Sequence, residues 1–318
     1  MKEFYSYLVK RVLLFIPTVI LITMVIHVVL HYAGADPVRI MLGDSATQES
    51  VKFWTIKLGL DQPVPLQYWR WFKRCLHGDL GTSLTLAQGF PVLGLIKERL
   101  PITAFLSFVS MVFALLIALP AGTLSAFRRR HVEDYVVTTT AIAGISMPDF
   151  WLGFMLIICF SIKLNWFPSM GYIRLLVNPW GSFRSILLPS LAIAAPMAAI
   201  LARMVRASLL DTMSKEHVLV AKSYGLPPQD IFFNYIWRNS LIPIVTVIGL
   251  QVRYLLGGVV VIEKVFSLPG IGSLLADAAF GRDIFLVQGI VIVFLFIILS
   301  VNLIVDLSYV FIDRRIKF

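Results

Sequence analysis

Six apolar runs constrain this chain more than any motif, because a polypeptide crossing a hydrocarbon layer needs about 20 consecutive apolar residues. They are Val12 to His31, Ile102 to Phe127, Tyr135 to Ile162, Ile186 to Ala202, Ser240 to Ile262 and Phe285 to Ile312. The fourth is the shortest, and Pro189 and Pro196 interrupt it. With 58% hydrophobic and 14% charged residues the chain is far from the roughly 25% charge of soluble domains, so the bilayer is its main solvent. The expectation is an all-α polytopic membrane protein with six transmembrane helices.

Lys and Arg in short loops set orientation. Lys2, Lys10 and Arg11 precede the first run, Arg128, Arg129 and Arg130 follow the second, Arg203, Arg206, Lys215, Lys222 and Arg238 follow the fourth, and Arg314, Arg315 and Lys317 end the sequence. All four clusters fall on one side, which predicts cytoplasmic N- and C-termini. The net charge of +10 then reflects this bias and contact with anionic headgroups of membrane lipids, and a nucleic-acid partner is set aside. The first run exceeds the 7 to 15 apolar residues of a signal peptide, so it reads as a retained span, with cleavage the alternative. Cys75 is expected outside and Cys159 within the membrane, so they are not expected to pair.

Between the fourth and fifth runs lies a polar interruption, residues 204–239. Ser214 can cap a short helix with Glu216 in its first turn, and Gly225 can supply the left-handed residue that ends it. Pro227 or Pro228 fits the first turn of a second helix. Two short helices at a sharp angle, bearing Lys215, Lys222 and Arg238, would project from the membrane as a docking surface. The segment resembles the cytoplasmic coupling loop, or EAA loop, of permease subunits of binding-protein-dependent ABC importers. The match rests on Ala221, Gly225, Ile231, Leu241 and Pro243, with Lys222, Leu226 and Asn239 inside the same stretch. Where that family has Glu-Ala-Ala this chain reads Leu219-Val220-Ala221, which points to the dipeptide, oligopeptide and nickel subgroup.

Three further stretches resemble that subgroup. After the first run come Ala35-Asp36-Pro37, Leu58-Gly59-Leu60-Asp61-Gln62-Pro63, Gln67-Tyr68-Trp69 and Gly78-Asp79-Leu80-Gly81-Thr82-Ser83. The prolines break regular structure, Trp69 and Trp71 suit the membrane interface, and Gly78-Asp79 signals a turn. Two readings stand for this loop: a cap packed on the spans, or a contact for a solute-binding protein. The third run holds Ser146-Met147-Pro148-Asp149, followed later by Asn165 to Gly171. Pro148 should kink or break the helix, and opened backbone at that depth must be buried in protein or face water. Asp149 either caps the segment after the break or lines a translocation path. The fifth run carries Gln251 and Arg253, then Gly257-Gly258 suited to close helix approach, then Val261 to Gly272. Arg253 faces an aqueous path or pairs with a carboxylate, and Asn302 and Asp306 share a face of the sixth run.

No Lys follows a Gly, so the P-loop sequence is absent, and the metalloprotease and nucleophile-elbow motifs are missing too. His27, His31, His77, His131 and His217 show no metal-ligand spacing. The chain is therefore expected to be no enzyme and to hold no cofactor or metal. The resemblance implies the ABC type I importer permease fold, with residues 1–100 forming the first helix and an external loop and residues 101–318 a five-helix core. It implies a bacterial inner-membrane subunit that pairs with a second homologous permease, two ABC ATPases that bind ATP and Mg, and a periplasmic or lipid-anchored solute-binding protein. The solute would be a di- or oligopeptide, or glutathione, nickel or a metal chelate. Ser146, Pro148, Asp149, Gln251 and Arg253 are the candidates for its path. A secondary transporter or channel working without an ATPase is the alternative.

Overall fold

The computed structural model describes residues 2–32 and 36–312, with side chains from residue 13 to residue 308. Ala35 of the first external motif and the Arg314, Arg315 and Lys317 cluster lie outside the described residues, as do the side chains of Lys2, Lys10 and Arg11. Thirteen helices follow in order: α1 Lys2–Tyr32, α2 Pro37–Leu42, α3 Gln48–Leu58, α4 Val64–Leu76, α5 Val92–Phe127, α6 Val132–Ser146, α7 Asp149–Leu156, α8 Pro179–Met213, α9 Glu216–Ser223, α10 Pro228–Asp230, α11 Arg238–Val265, α12 Ile271–Phe280 and α13 Ile284–Ile312. There is no β-strand among the described residues. Among the described residues five helices are long and apolar enough to cross a membrane, and the pair Val132–Ser146 and Asp149–Lys163, bent by 101°, passes the same test only when taken together, as a broken span or a re-entrant loop. The chain divides into two compact units, Met1–Ile102 with Pro269–Leu299, and Thr103–Leu268 with Ser300–Lys317. A division by position along the sequence does not foresee that residues 269–299 join the first hundred.

The fourth span is the main correction to the sequence reading. It is a helix of 35 residues and the most buried of all, although Pro189 and Pro196 lie inside it. Proline deletes a hydrogen bond and crowds the preceding turn, but packing on several sides offsets that cost. Here α8 packs against α6, α7 and α11, and Ile193, Met197, Leu201 and Val205 are fully enclosed. Its polar end is also tied down. Arg206 grips Asp134 of α6 through two bonds, Nε to Oδ1 at 2.7 Å and Nη2 to Oδ2 at 2.8 Å. Ser125 of α5 donates to the same carboxylate at 2.5 Å, and the Arg130 backbone N–H does so at 2.9 Å. Arg206 is thus an internal ligand, with 29% of its side chain exposed against 7% for Asp134, and does not belong with the free cations that bias orientation.

In the first unit the loop between α3 and α5 is folded. Gln67 donates to the carbonyls of Leu60 and Gln62, which pins the turn Leu58 to Pro63. The Tyr68 hydroxyl donates to the Ile20 carbonyl at 3.1 Å and shares a hydrogen bond of 2.9 Å with the Thr23 hydroxyl of α1. Trp71 does not lie at an interface as its residue type suggests. It is 0% exposed, and its indole N–H is satisfied by the Leu80 carbonyl at 3.3 Å. Trp69, half exposed, does keep an outward position. The Gly78 to Ser83 motif closes on Asp283, which is fully buried ahead of α13. One carboxylate oxygen takes the Ser83 hydroxyl at 2.6 Å and the N–H groups of Leu84 and Thr85, while the other caps α13 through the Leu286 N–H.

Asp134→Ala would leave the Arg206 guanidinium partly buried without its partner, and a loss of about 3 kcal/mol of stability is expected; unfolding of the purified protein in detergent measures it. Burial pushes the Cys75 thiol up to about 12. At pH 8 only about one thiol in ten thousand is then ionised, so maleimide labelling of Cys75 in the folded protein should be slow and should speed up on denaturation.

Candidate functional site

The polar interruption folds as a cap on the ends of α8 and α11. Ser208 donates to the Ser240 carbonyl at 3.0 Å, and Ser240 donates to Thr212 Oγ1 at 2.9 Å, all three buried. Against this floor α9 lays Val218 and Ala221, three residues apart and so on one face. They pack with Val205, Leu209, Ile231, Ile236 and Ile244. Ala221 and Ile231 are therefore anchors of the segment and not part of its outer surface, and Leu226 is partly covered.

Two sequence expectations change here. Ser214 does not cap α9: it ends α8, its hydroxyl bonding back to the Asp211 carbonyl, while Lys215 occupies the cap position and pairs with Asp211 at 3.0 Å. The second short helix is not separate either. From Pro228 the chain runs through a wide π-helical turn, Ile231–Trp237, directly into α11, giving 38 continuous helical residues to Val265. Pro227 and Pro228 set its start, and Arg238, Asn239 and Pro243 lie within it. Asn239 donates to the Tyr235 carbonyl at 2.6 Å and also lies 3.4 Å from His217 Nε2, so it ties the fifth span to α9.

Gly225 makes the turn between the two helices with φ +68°, in the left-handed region, and the Leu226 N–H returns to the Ala221 carbonyl at 3.3 Å. A Cβ at this glycine would meet nothing within 4 Å, so conformation and not space selects it. The bare surface around the turn carries Glu216 and Lys222, but also Leu219 at 56% exposed, Val220 at 52% and Tyr224 at 81%. Sequence reasoning listed the charges and missed these apolar residues. The signal was present in Leu219-Val220, which stands where a glutamate and an alanine would have continued a polar face.

The path candidates separate into two groups. α6 ends at Ser146 and α7 begins at Asp149, with Met147 and Pro148 extended at the bend. Pro148 holds the cap position, and Asp149, the first residue of α7, accepts the Phe150 N–H at 2.9 Å and the Tyr254 hydroxyl. Gly258 of α11 is what admits it, since a Cβ there would lie 2.9 Å from Asp149 Oδ2, whereas one at Gly257 would meet nothing. Ser146 bonds the Ile142 carbonyl of its own helix and is exposed. Gln251, in contrast, is buried with its amide toward the Met197 carbonyl of α8 at 3.4 Å. Arg253 takes neither of its two sequence readings outright: it stays exposed and donates to Asn302 Oδ1 at 2.8 Å, an amide and not a carboxylate. Among the described residues no group of His, Cys, Asp and Glu is arranged to hold a metal.

This architecture of long α-helices around a buried α8, with a capped segment leading into a continuous fifth span, is that of an ABC importer permease. Residues 118–318 match the family described as binding-protein-dependent transport system inner membrane component, and residues 4–107 match its N-terminal companion, so the chain belongs to this family. The glutathione transport system permease protein GsiC of Escherichia coli is 35% identical over 98% of this chain and 99% of its own length. The oligopeptide transport system permease protein AppB of Bacillus subtilis is 34% identical over the same shares. Among solved structures, the MetNI methionine ABC transporter aligns with a TM-score of 0.57 at 17% identity, covering 70% of this chain and 97% of that one, which shows a shared fold.

Gly258→Ala should force Asp149 off Tyr254 and cost about 1–2 kcal/mol, while Gly257→Ala should change stability by less than about 0.5 kcal/mol. Thermal unfolding of the two variants side by side checks the contrast.

Proposed function

We propose that this chain is one permease subunit of an ATP-driven importer for di- or oligopeptides or glutathione, and that its α9 turn docks on a partner ATPase. The observation that carries this reading is the outer surface of α9: Val218 and Ala221 fix the helix from below, and Leu219, Val220 and Tyr224 stand bare beside the Gly225 turn. A folded protein rarely leaves such a cluster uncovered without a partner for it. With no Gly-Lys pair in the sequence for a P-loop, nucleotide binding in this reading falls to that partner. A second homologous permease would complete the pore, two ATPases would supply ATP hydrolysis with Mg, and a solute-binding protein would deliver the peptide on the opposite face. The α9 turn would then be cytoplasmic, with both termini on the same side.

In this reading, closing of the ATPase pair displaces α9. Because α9 is packed on Ile231 and Ile236, the displacement passes into the helix that continues to Tyr254 and Gly258, beside the Asp149 bend. The two states of the pore must then differ in how the ATPases grip α9, or no energy is transmitted. The names of the relatives support peptides and glutathione as the solute class; nickel or a metal chelate remains the subgroup's other option.

Gly225→Asp is the direct test. Asp tolerates the left-handed conformation better than most residues, and no neighbour obstructs its side chain, so insertion and fold should persist. ATP-linked peptide uptake in reconstituted vesicles should fall by at least about ten-fold through the loss of docking. Uptake at the native rate, or a purified homo-oligomer with no vanadate-sensitive ATPase activity, would replace this reading with a channel or secondary transporter.

A further inference from the structure

A cleft of about 430 Å³ in the first unit is framed by the last turns of α1, the end of α3 and one face of α4. Four cations reach it: Lys57, Arg70, Lys73 and Arg74. No carboxylate is among the described residues that line it. Aromatic rings hold three of the cations in place, with Lys57 Nζ 4.3 Å from the Trp54 ring centre, Lys73 Nζ 5.5 Å from Trp69 and Arg74 Cζ 5.5 Å from Phe285. Like charges gathered without a counter-charge repel one another, so the cleft is short of an anion.

Two buried side chains in its wall are incomplete in a complementary way. His27 is 1% exposed, and the Gln288 amide donates to its Nδ1 at 2.8 Å. That bond places the ring proton on Nε2, which has no acceptor. Gln67 is 7% exposed, and its amide nitrogen serves the Leu60 and Gln62 carbonyls, leaving Oε1 with no donor. Buried polar atoms without partners are rare in folded proteins. Both atoms are closed off from the cleft and belong to its packed wall, so what the cleft lacks is a ligand that accepts from several cations.

We propose that this cleft binds a phosphate group, gripped by Lys57, Arg70, Lys73 and Arg74. Its place favours a phospholipid headgroup as the source: the spanning part of α1 ends at Tyr32, a few residues beyond His27, and Leu66 and Trp69 are exposed on the neighbouring α4. Inorganic phosphate offers the same chemistry from solution. The inference does not depend on the transported solute or on which side of the membrane the cleft faces.

The assembled transporter, purified and placed in nanodiscs of equal phosphatidylglycerol and phosphatidylcholine, can be released into native mass spectrometry and its retained lipid counted. Phosphatidylglycerol should be retained over phosphatidylcholine by about five-fold, the preference should fall below about two-fold in Arg70→Gln/Lys73→Gln, and Arg70→Lys/Lys73→Arg should restore it. Both substituted side chains are exposed, so the variants should insert and elute as the native protein does. In parallel, lipid-depleted transporter is heated with sodium phosphate or with chloride at equal ionic strength. Stabilisation by phosphate that the Gln variant loses, without a lipid preference, supports the anion site and makes its source soluble. The proposal is overturned by a lipid preference and phosphate response that are absent, or that the Gln variant shares. It is equally overturned if that variant loses only the binding of a soluble partner protein.

Discussion

Inside a hydrocarbon layer no backbone N–H or C=O finds water, so each must be satisfied within the protein, and this requirement governs where the chain is allowed to be irregular. Among the described residues it breaks helix within a candidate span at Met147 and Pro148, and there the freed end of α7 is met by the Asp149 carboxylate, itself held by Tyr254. It tolerates Pro189 and Pro196 in α8 because that helix is enclosed by α6, α7 and α11. The Arg206 and Asp134 pair obeys the same logic for charge: two ionised groups at the edge of the packed core are kept by two direct bonds and two further donors. Removing either partner would leave an uncompensated charge, which is why these residues hold α5, α6 and α8 in one arrangement.

Much of this was legible from sequence because membrane crossing is a one-dimensional signal. The run from Phe285 reappears as α13 from Ile284, and the break at Pro148 falls where a missing backbone donor says it must. The errors have a common cause. Pro189 and Pro196 argued for an interruption, yet tertiary packing on α8 outweighed the local rule. Trp71 read as an interfacial residue because nothing local shows that the Leu80 carbonyl waits for its N–H. Ser214 is a good cap by type, but the same hydroxyl is equally able to close the preceding helix, and it does so. Arg206 looked like one more basic loop residue because Asp134 is 72 positions away.

The candidate docking segment was readable in its turn and unreadable in its orientation. Gly225 is marked by its residue type, and the φ of +68° agrees with that mark. Which face of α9 is turned inward depends on α8 and α11, so the sequence could not say that Ala221 is an anchor while Leu219 and Tyr224 are bare. The loop after α1 shows the same division. Its Gly78 to Ser83 motif proves to be a cradle for Asp283, so this part of the loop serves to cap α13, as the packed-cap reading of the loop expects.

The unbroken helix from Pro228 to Val265 has a geometric consequence of its own. At 1.5 Å per residue, the distance from its first turn to Gly258 is roughly 45 Å, so a tilt of about 5° about either end sweeps the other through roughly 4 Å. That sweep exceeds the diameter of a water molecule and comes without any change in the helix's internal hydrogen bonds. The wide turn at Ile231–Trp237 sits close to one end of this lever, so whatever compliance it adds lies outside the long arm. A small rotation at the α9 end would therefore arrive beside Asp149 nearly undiminished, as a displacement of Gly258 and not as a change in fold.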